Sequence, residues 1–416
     1  MGSDMKNAWI LGTTALFLGG WSLARPQDAT GGVESVPVVE ETPGAEPRAI
    51  DLALCLDTSG SMGGLIDAAK QKLWAIVNDM ALARPTPTLR VALFTFGHDT
   101  HSPEDGWVKM ETGLTEDLDL VSQILFGLST NGGTEYVGRV LDAATRRLAW
   151  SPSPAALKLV VVAGNESADQ DPVVGLRAAS RNAIERGIMV DSIYCGNPAD
   201  ELAPAWRELA QLADGHFASI DHDNGTVVIA SPFDARLAEL SGALNATYVP
   251  YGADGRRGWA NQQAQDQNAV GLNSEAAACR AVTKVSGLYN CAWDLVDKCK
   301  EKDFDWAKVE TKDLPEDMRS MTLEQRQELV NKRAAEREKL QAEVASLGRK
   351  RQEFVEQELR KQAAGDERTF DFALRRAVRE QARAKGFRYP DEQARPESPS
   401  GGEREEAKQP GEAGGK

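Results

Sequence analysis

Continuous apolar runs separated by polar turns divide the first half of the chain into short strands. Leu52–Leu56 is such a run, and it shows no alternation between apolar and polar residues. Runs of this kind are typical of strands buried on both faces of a parallel sheet. The pattern predicts strands at Leu52–Leu56, Leu89–Phe96, Leu157–Ala163, Ile188–Cys195 and His216–Ile220, with Trp107–Thr112 as a short antiparallel edge strand.

The segments between these runs carry apolar residues at helical spacing, which predicts helices that cover the strands. Strands that alternate with helices favour βαβ units with helices on both faces of the sheet. The expected fold class is therefore α/β, a doubly wound, mostly parallel sheet flanked by helices and followed by a helical C-terminal region. The helices are predicted at Asp67–Met80, Asp117–Leu128, Tyr136–Trp150, Val173–Arg186 and Glu201–Ala213.

The turn after the first strand carries the strongest candidate chemistry. Asp57, Ser59 and Ser61 follow one another at every second position, and Gly60 lets the backbone turn tightly enough for their oxygens to converge. Convergent carboxylate and hydroxyl oxygens suit a hard cation such as Mg²⁺, which keeps bound water. The alternative is an Asp- and Ser-rich N-cap of the following helix.

This D-x-S-x-S pattern at a strand-to-helix junction resembles the metal-ion-dependent adhesion site of von Willebrand factor type A (vWA) domains. The resemblance covers about residues 49–221 and implies the vWA fold. It also makes Thr134, in the loop STNGGTE, the ligand from a second loop. The implied ion is Mg²⁺, with Mn²⁺ or Ca²⁺ as alternatives, and the implied partner is a protein that presents a carboxylate.

The third loop departs from the family pattern. Aligning the strand ends puts Gly164 where the family has an Asp. The loss of that charge should lower the affinity for metal, yet it should make any bound ion more electrophilic towards an acidic ligand. Glu166 could substitute by reaching back, or Asn165 could hold a water molecule. Both a working site and a degenerate one that keeps only the fold are compatible with the sequence.

The N-terminal segment is typical of an exported protein. Residues 8–24 are apolar, follow Lys6 and end with the small residues Ser22 and Ala24, which predicts a signal peptide over residues 1–24. An uncleaved membrane anchor is the alternative. Residues 25–48 are rich in Pro, Gly and Glu and should form a flexible linker. We expect a periplasmic or cell-envelope location.

The remainder of the chain is expected to be helical and then unfolded. The vWA domain is predicted over 49–222, a helical extension over 223–310, a charged helical stalk or hairpin over 311–389, and a disordered tail over 390–416. Within these ranges Thr322 and Gln325 form a capping-box start for a long helix that runs to about Leu359. The helical pattern predicts further helices at Asp234–Leu244, Asn261–Asn268 and Glu367–Lys385, with an extended run at Thr226–Ala230.

Five cysteines limit the disulfides that this chain could form. Cys55 and Cys195 lie in apolar strands and should be buried free thiols. Cys291 and Cys299 are predicted to lie in one helix, about 12 Å apart, which is too far for a bond. Cys279 and Cys291 could be bridged only if the chain turns back between them.

Charge and missing motifs narrow the function. The net charge of −15 argues against nucleic-acid binding, which needs a basic surface. No enzyme activity is expected, because the chain has no G-x-S-x-G elbow, P-loop or H-E-x-x-H, and no second carboxylate is firmly placed beside Asp57. The leading hypothesis is an exported metal-dependent protein-binding module. An unmetallated envelope scaffold and a metal-assisted hydrolase are the alternatives, and the oligomeric state is left open.

Overall fold

A six-stranded sheet forms the centre of the protein. The computed structural model describes residues 48–220, 228–362 and 369–389. All neighbouring strands are parallel except β3, which pairs antiparallel with β2 at the edge, as predicted. The strands are β1 (Ala49–Asp57), β2 (Thr88–Phe96), β3 (Val108–Thr115), β4 (Leu157–Gly164), β5 (Met189–Tyr194) and β6 (Phe217–Ser219), in the order β3-β2-β1-β4-β5-β6.

The central strand β1 contributes side chains to two separate cores. Leu52, Leu54 and Leu56 belong to one core, whereas Ala53 and Cys55 belong to the core on the opposite face. This follows from the two-residue period of a strand. Because both faces are covered, β1 needs apolar residues at every position, and burial of each leucine contributes roughly 1.5–3 kcal/mol.

Helices cover both faces of the sheet, which confirms the predicted fold class. Helices α1 and α2 pack on the face that holds Leu52, and α3, α4 and α5 pack on the face that holds Cys55. Their ends differ from the predicted ones by a few residues. The bounds are α1 (Gly63–Met80), α2 (Leu118–Gly127), α3 (Val137–Arg147), α4 (Leu176–Glu185) and α5 (Ala203–Gln211).

The rest of the described chain is helical. The predicted extended run at Thr226–Ala230 lies partly outside the described residues, and its last three residues have no regular structure. The Gln-rich helix is much longer than predicted. The helices are α6 (Asp234–Asn245), α7 (Gly255–Leu272), α8 (Ser274–Thr283), α9 (Leu295–Lys298), α10 (Glu316–Arg319), α11 (Leu323–Gln362) and α12 (Phe370–Ala384), with 3-10 turns at Trp306–Lys308 and Thr311–Asp313.

Helix α12 lies on the sheet and does not extend away from it as a stalk. Phe370, Leu374 and Val378 are buried in the same core as Leu52 of β1. Their spacing of four residues puts them on one face of the helix. A charged helical stalk or hairpin was expected here, and this apolar face was not identified from the sequence.

The long helix α11 starts as predicted but is not a simple solvated helix. Thr322 N–H donates to Gln325, and Gln325 N–H donates to the Thr322 hydroxyl, so the capping box is confirmed. Two arginines of this helix, Arg337 and Arg351, are buried. Arg337 pairs with Asp294 at 2.6 Å, and Arg351 pairs with the α6 residue Asp234 at 2.8 Å. Each of these arginines is thus buried together with an acidic partner.

One of the cysteine predictions is wrong. Cys291 and Cys299 do not share a helix, because the Asp294 side chain caps the short α9 and the helix begins only at Leu295. Cys279 and Cys291 are both buried free thiols and form no disulfide. Cys55 and Cys195 are buried free thiols, as predicted.

No helix among the described residues is long and apolar enough to cross a bilayer. The predicted signal peptide, the linker and the predicted disordered tail lie outside the described residues.

Candidate metal site at the carboxyl edge of the sheet

Asp57 ends the central strand at the edge of the sheet where ligands bind in open α/β folds. Its side chain is fully buried. Oδ1 accepts a hydrogen bond of 2.8 Å from the Ser59 backbone N–H, which folds the turn over the carboxylate. Oδ2 is buried and has no hydrogen-bond partner in the described part of the chain. One carboxylate oxygen is thus oriented by the turn and the other is unsatisfied.

The two serines of the motif lie together, as the sequence predicted. Ser59 Oγ and Ser61 Oγ are 3.3 Å apart. Two ligands at right angles around Mg²⁺, with bonds of about 2.1 Å, are separated by about 3 Å. Ser59 is buried, whereas Ser61 and Gly60 are exposed, so the pair runs from the buried carboxylate to the surface.

The second loop is joined to the first through backbone atoms. Gly60 N–H donates to the Gly132 carbonyl at 3.1 Å, and Asn131 N–H donates to the Thr58 carbonyl at 3.0 Å. Gly132 has a φ of 92°, and a Cβ there would lie 2.6 Å from the Gly97 carbonyl oxygen, so the loop requires glycine. Thr134 pairs with Gly97 as an isolated β-bridge, beside the ends of β1 and β2.

Glu135 is a second buried carboxylate in the site, and sequence reasoning missed it. Its side chain is only 3% exposed, and its Oε2 has no hydrogen-bond partner among the described residues. A Cβ on Gly97 would lie 2.9 Å from Glu135 Cγ and 3.0 Å from Asp57 Oδ1. The expectation that no second acid lies beside Asp57 is therefore wrong. The available signal was its place directly after Thr134.

The third loop brings Asn165, but not the Glu166 carboxylate, to the motif. Asn165 Nδ2 donates to Ser61 Oγ at 3.0 Å, and Asn165 Oδ1 is buried with no hydrogen-bond partner in the described ranges. Glu166 is exposed, and its backbone carbonyl accepts a hydrogen bond from the Trp206 indole. Among the described residues, no hydrogen bond joins the Glu166 carboxylate to Asp57, Ser59 or Ser61, so its predicted role as a ligand has no support.

A side chain at position 164 would be tightly packed. A Cβ there would lie 3.0 Å from Asp57 Oδ2 and 3.2 Å from the ring of Trp206. Contacts this short force a neighbour to move, and both neighbours are buried. Gly164, which departs from the family pattern, thus packs tightly against Asp57 and Trp206.

A comparison with protein families assigns the sheet domain. The model of the von Willebrand factor type A domain matches residues 51–229. These residues form a vWA domain. The family expectation drawn from Asp57, Ser59 and Ser61 is thereby confirmed, and the matched range ends close to the predicted boundary. A search of curated proteins gave no match.

Solved structures that are similar to this chain include other vWA proteins. Proximal thread matrix protein 1 from the mussel byssus, in a form with a zinc-occupied MIDAS motif, is 17% identical, with 42% of this chain and 43% of that chain covered and a TM-score of 0.34. The von Willebrand factor type A protein from Catenulispora acidiphila is 19% identical, with coverages of 42% and 39% and a TM-score of 0.33.

The pilus adhesin SpaC from Lactobacillus rhamnosus GG, in its open conformation, is 14% identical to this chain. The alignment covers 42% of this chain and 28% of SpaC, with a TM-score of 0.33. The chain spans less than half of the length of each of these three structures.

Burial sets the electrostatics of the vWA site. Desolvation, followed by the nearby charge of Glu135, raises the pKa of Asp57 from 3.8 to about 7, against the hydrogen bond from Ser59 N–H. Desolvation also raises the pKa of Glu135, with a hydrogen bond from the Ser59 hydroxyl opposing it and the charge of Glu166 adding to it. Two carboxylates are thus held in a place that disfavours their negative charges.

The residues present fit a hard divalent cation. Asp57 and Glu135 each have a buried oxygen without a partner, and the hydroxyls of Ser59 and Ser61 have the spacing of neighbouring ligands. Within the described ranges, no three His, Cys, Asp or Glu side chains converge as a metal-binding group. Such a site would therefore depend on hydroxyl oxygens, which favour Mg²⁺ or Mn²⁺ over softer ions.

Proposed function

We propose that the vWA domain is a metal-dependent protein-binding module. Asp57, Ser59, Ser61 and Thr134 would hold Mg²⁺, Mn²⁺ or Ca²⁺, and the ion would supply a coordination position for a carboxylate of a partner protein. The observation that carries this proposal is the unpartnered Oδ2 of Asp57, buried beside the two serine hydroxyls that lie 3.3 Å apart. A buried acceptor without a partner is costly, and a bound cation would satisfy it.

The ligand types support carboxylate capture. Three of the four proposed ligand groups are uncharged hydroxyls, so the ion would keep part of its positive charge and attract an acid. The exposure of Gly60 and Ser61 supports an opening on the solvent side, whereas Asp57 lies on the buried side. A partner would thus approach over the serine turn, and its carboxylate would complete the coordination of the ion.

Isothermal titration calorimetry of the purified chain with Mg²⁺ and Mn²⁺ tests the metal. Binding should be lost in Asp57→Ala and kept in Glu104→Gln, which removes an exposed acid elsewhere. Circular dichroism and the melting temperature establish that both variants fold. If the folded wild-type chain binds neither ion, the metal-dependent function is refuted and an unmetallated envelope scaffold is favoured.

Matched peptide arrays test the partner chemistry. Peptides that present Glu should bind in Mg²⁺ and lose binding in chelator, while the same peptides with Gln in place of Glu should not bind in either condition. Equal binding of Glu and Gln peptides would contradict the coordination mechanism. An exported, periplasmic or envelope location fits such a module and remains part of the proposal.

A metal-assisted hydrolase is the second candidate, because the structure places Glu135 beside Asp57. We favour binding without turnover, since the motif set of the common hydrolases is missing from the sequence. Assay of p-nitrophenyl phosphate and p-nitrophenyl acetate in Mn²⁺ separates the two. Turnover that disappears in Asp57→Ala would reverse this preference.

A further inference from the structure

Tight packing disfavours a side chain at position 164, where the family has its third-loop acid. A side chain on Gly164 would meet Asp57 Oδ2 at 3.0 Å and the Trp206 ring at 3.2 Å. Trp206 is buried and fixed, because its indole N–H donates to the Glu166 carbonyl at 2.9 Å. An acid on this side of Asp57 therefore requires Asp57 or Trp206, both of which are buried, to move by a few tenths of an ångström.

A carboxylate is present on another side of the same site. Glu135 Cγ and Asp57 Oδ1 both lie within 3.0 Å of the point that a Cβ on Gly97 would occupy. Gly97 has a φ of 86°, so glycine is required there by the backbone as well as by the two acids. The absence of a side chain at this position lets the two acids approach each other.

Glu135 is also connected to the predicted ligand Ser59. The Ser59 hydroxyl lies close enough to the Glu135 carboxylate to lower its pKa, against the rise caused by burial. A hydroxyl that binds a cation through its oxygen still carries a proton that needs an acceptor. Glu135 would accept this proton and leave the lone pairs of Ser59 Oγ free for the ion.

Burying the Asp57 and Glu135 carboxylates without a counter-charge would be costly. Two carboxylates without a counter-charge repel each other, and each loses its hydration. No arginine or lysine pairs with Asp57 or Glu135 among the ion pairs of the described residues. A cation between them would offset both costs.

We propose that Glu135 replaces the missing third-loop acid. It would place a second negative charge beside the metal site by accepting the Ser59 hydroxyl proton, not by binding the ion directly, so that a coordination position stays free for the partner's carboxylate. This inference rests on the proposed metal site and adds a residue that lies outside the D-x-S-x-S and Thr134 pattern. The second charge would thus come from the second loop instead of the third. Gly97, which directly follows β2, leaves room for it.

Metal affinity of three variants tests the assignment. Glu135→Gln keeps the shape and the acceptor but removes the charge, and it should weaken Mn²⁺ binding by tenfold or more in calorimetry. Glu166→Gln removes an exposed acid of the same rim and should change the affinity less than twofold. Gly164→Asp in the Glu135→Gln background should not restore binding, because Trp206 occupies the space.

A charge-dependent measurement excludes a merely structural role. Tb³⁺ carries one more positive charge than Mn²⁺, so Glu135→Gln should lose more affinity for Tb³⁺, measured by sensitised luminescence, than for Mn²⁺. Equal losses for both ions would mean that the substitution only distorts the site. That outcome overturns the inference.

The result for Asp57→Ala distinguishes the two proposals. If the wild-type chain binds Mn²⁺, Asp57→Ala abolishes binding and Glu135→Gln binds within twofold of wild type, the metal site stands and the role of Glu135 is refuted. If the wild-type chain binds no ion, both proposals fail. Melting curves of the metal-free variants establish in each case that the folded protein is compared.

Discussion

The guanidinium of Arg280 on helix α8 lies 2.6 Å from a carboxylate oxygen of Asp119 on helix α2. Both side chains are buried, and Arg280 also pairs with Asp266 of α7 at 2.8 Å and stacks on the ring of Trp74 in α1. One arginine on α8 therefore contacts two helices of the vWA domain, α1 and α2, and helix α7 of the extension. The helices after the vWA domain are part of its folded structure, and α1 is covered by them.

Removing this arginine should destabilise the whole chain. Arg280→Ala leaves Asp119 buried without a counter-charge, whereas Asp266 keeps its pair with Lys284 at 2.8 Å, and we expect a cost of about 3–5 kcal/mol of unfolding free energy. Urea denaturation followed by circular dichroism measures the loss. Arg236→Ala is the matched control, because its pair with Glu343 is exposed and should contribute less than about 1 kcal/mol. Similar losses in both variants would contradict the assigned role of Arg280.

Divalent cation should stabilise the folded protein. A ligand that binds only the native state at 100 times its dissociation constant adds about 2.7 kcal/mol of stability. The melting temperature should therefore rise when Mg²⁺ is added and return to its first value with chelator. Asp57→Ala should show no such rise, and a Mg²⁺-dependent shift of normal size in that variant would exclude Asp57 as a ligand.

Without metal, Glu135→Gln should stabilise the protein. The glutamine keeps an acceptor for the Ser59 hydroxyl but removes a buried charge that faces Asp57, so the sign is opposite to that of an ordinary core substitution. Thermal melts in chelator at pH 8 measure the effect, with Glu166→Gln as the exposed control. A clear decrease in melting temperature would show that the ionised carboxylate stabilises the metal-free fold.

Asp191 should make stability depend on pH. Burial raises the pKa of this β5 carboxyl from 3.8 to about 7, against hydrogen bonds from His216 N–H and Gln381, while the charge of Glu380 adds to the rise. The folded state therefore binds a proton more tightly than the unfolded state. The stabilisation is complete below about pH 4 and is lost as the pH rises towards about 7, by an amount of the order of 4 kcal/mol.

The variant Asp191→Asn isolates this contribution. Asparagine keeps an oxygen that can accept the hydrogen bonds from His216 and Gln381, so the fold should be retained. Urea unfolding at pH values from 4 to 8, in chelator, should show a shallower decline of stability with pH in the variant than in wild type. Parallel curves would mean that Asp191 does not titrate in this range.

Helix α12 should contribute to the core as strongly as a helix of the vWA domain. Leu374→Ala removes a buried side chain that packs against the sheet, and we expect a loss of about 2–5 kcal/mol. Arg376→Ala, on the exposed face of the same helix, should change stability by less than about 0.5 kcal/mol. A neutral Leu374→Ala would support the stalk that the sequence suggested.

The sequence predicted those features that depend on neighbouring residues. The strand at Leu52–Leu56 and the turn from Asp57 to Ser61 are local, because a continuous apolar run and a short hydroxyl-rich turn need no distant partner to be recognised. The capping box at Thr322 and Gln325 is local for the same reason. These features gave the fold class, the family and the first loop of the candidate site.

The sequence could not predict charges whose burial depends on distant partners. Arg351 looks like a solvated helix residue, and its partner Asp234 is 117 positions away. Glu135 is buried because the chain brings it to Gly97 and Asp57, and the local signal for it was its place directly after Thr134. Gly164 was recognised as a departure from the family pattern, but the Trp206 ring that packs against it lies on helix α5, more than forty positions further along the chain.

Main-chain hydrogen bonds join the first loop to the second, from Gly60 to Gly132 and from Asn131 to Thr58. The alignment of the two loops is therefore independent of the side chains that surround them at the surface. Exposed residues such as Asn131 and Gly133 are thus suitable positions for sequence randomisation. Selection from a library at these positions should give new binding specificities, while the oxygens of Asp57, Ser59 and Ser61 keep their arrangement.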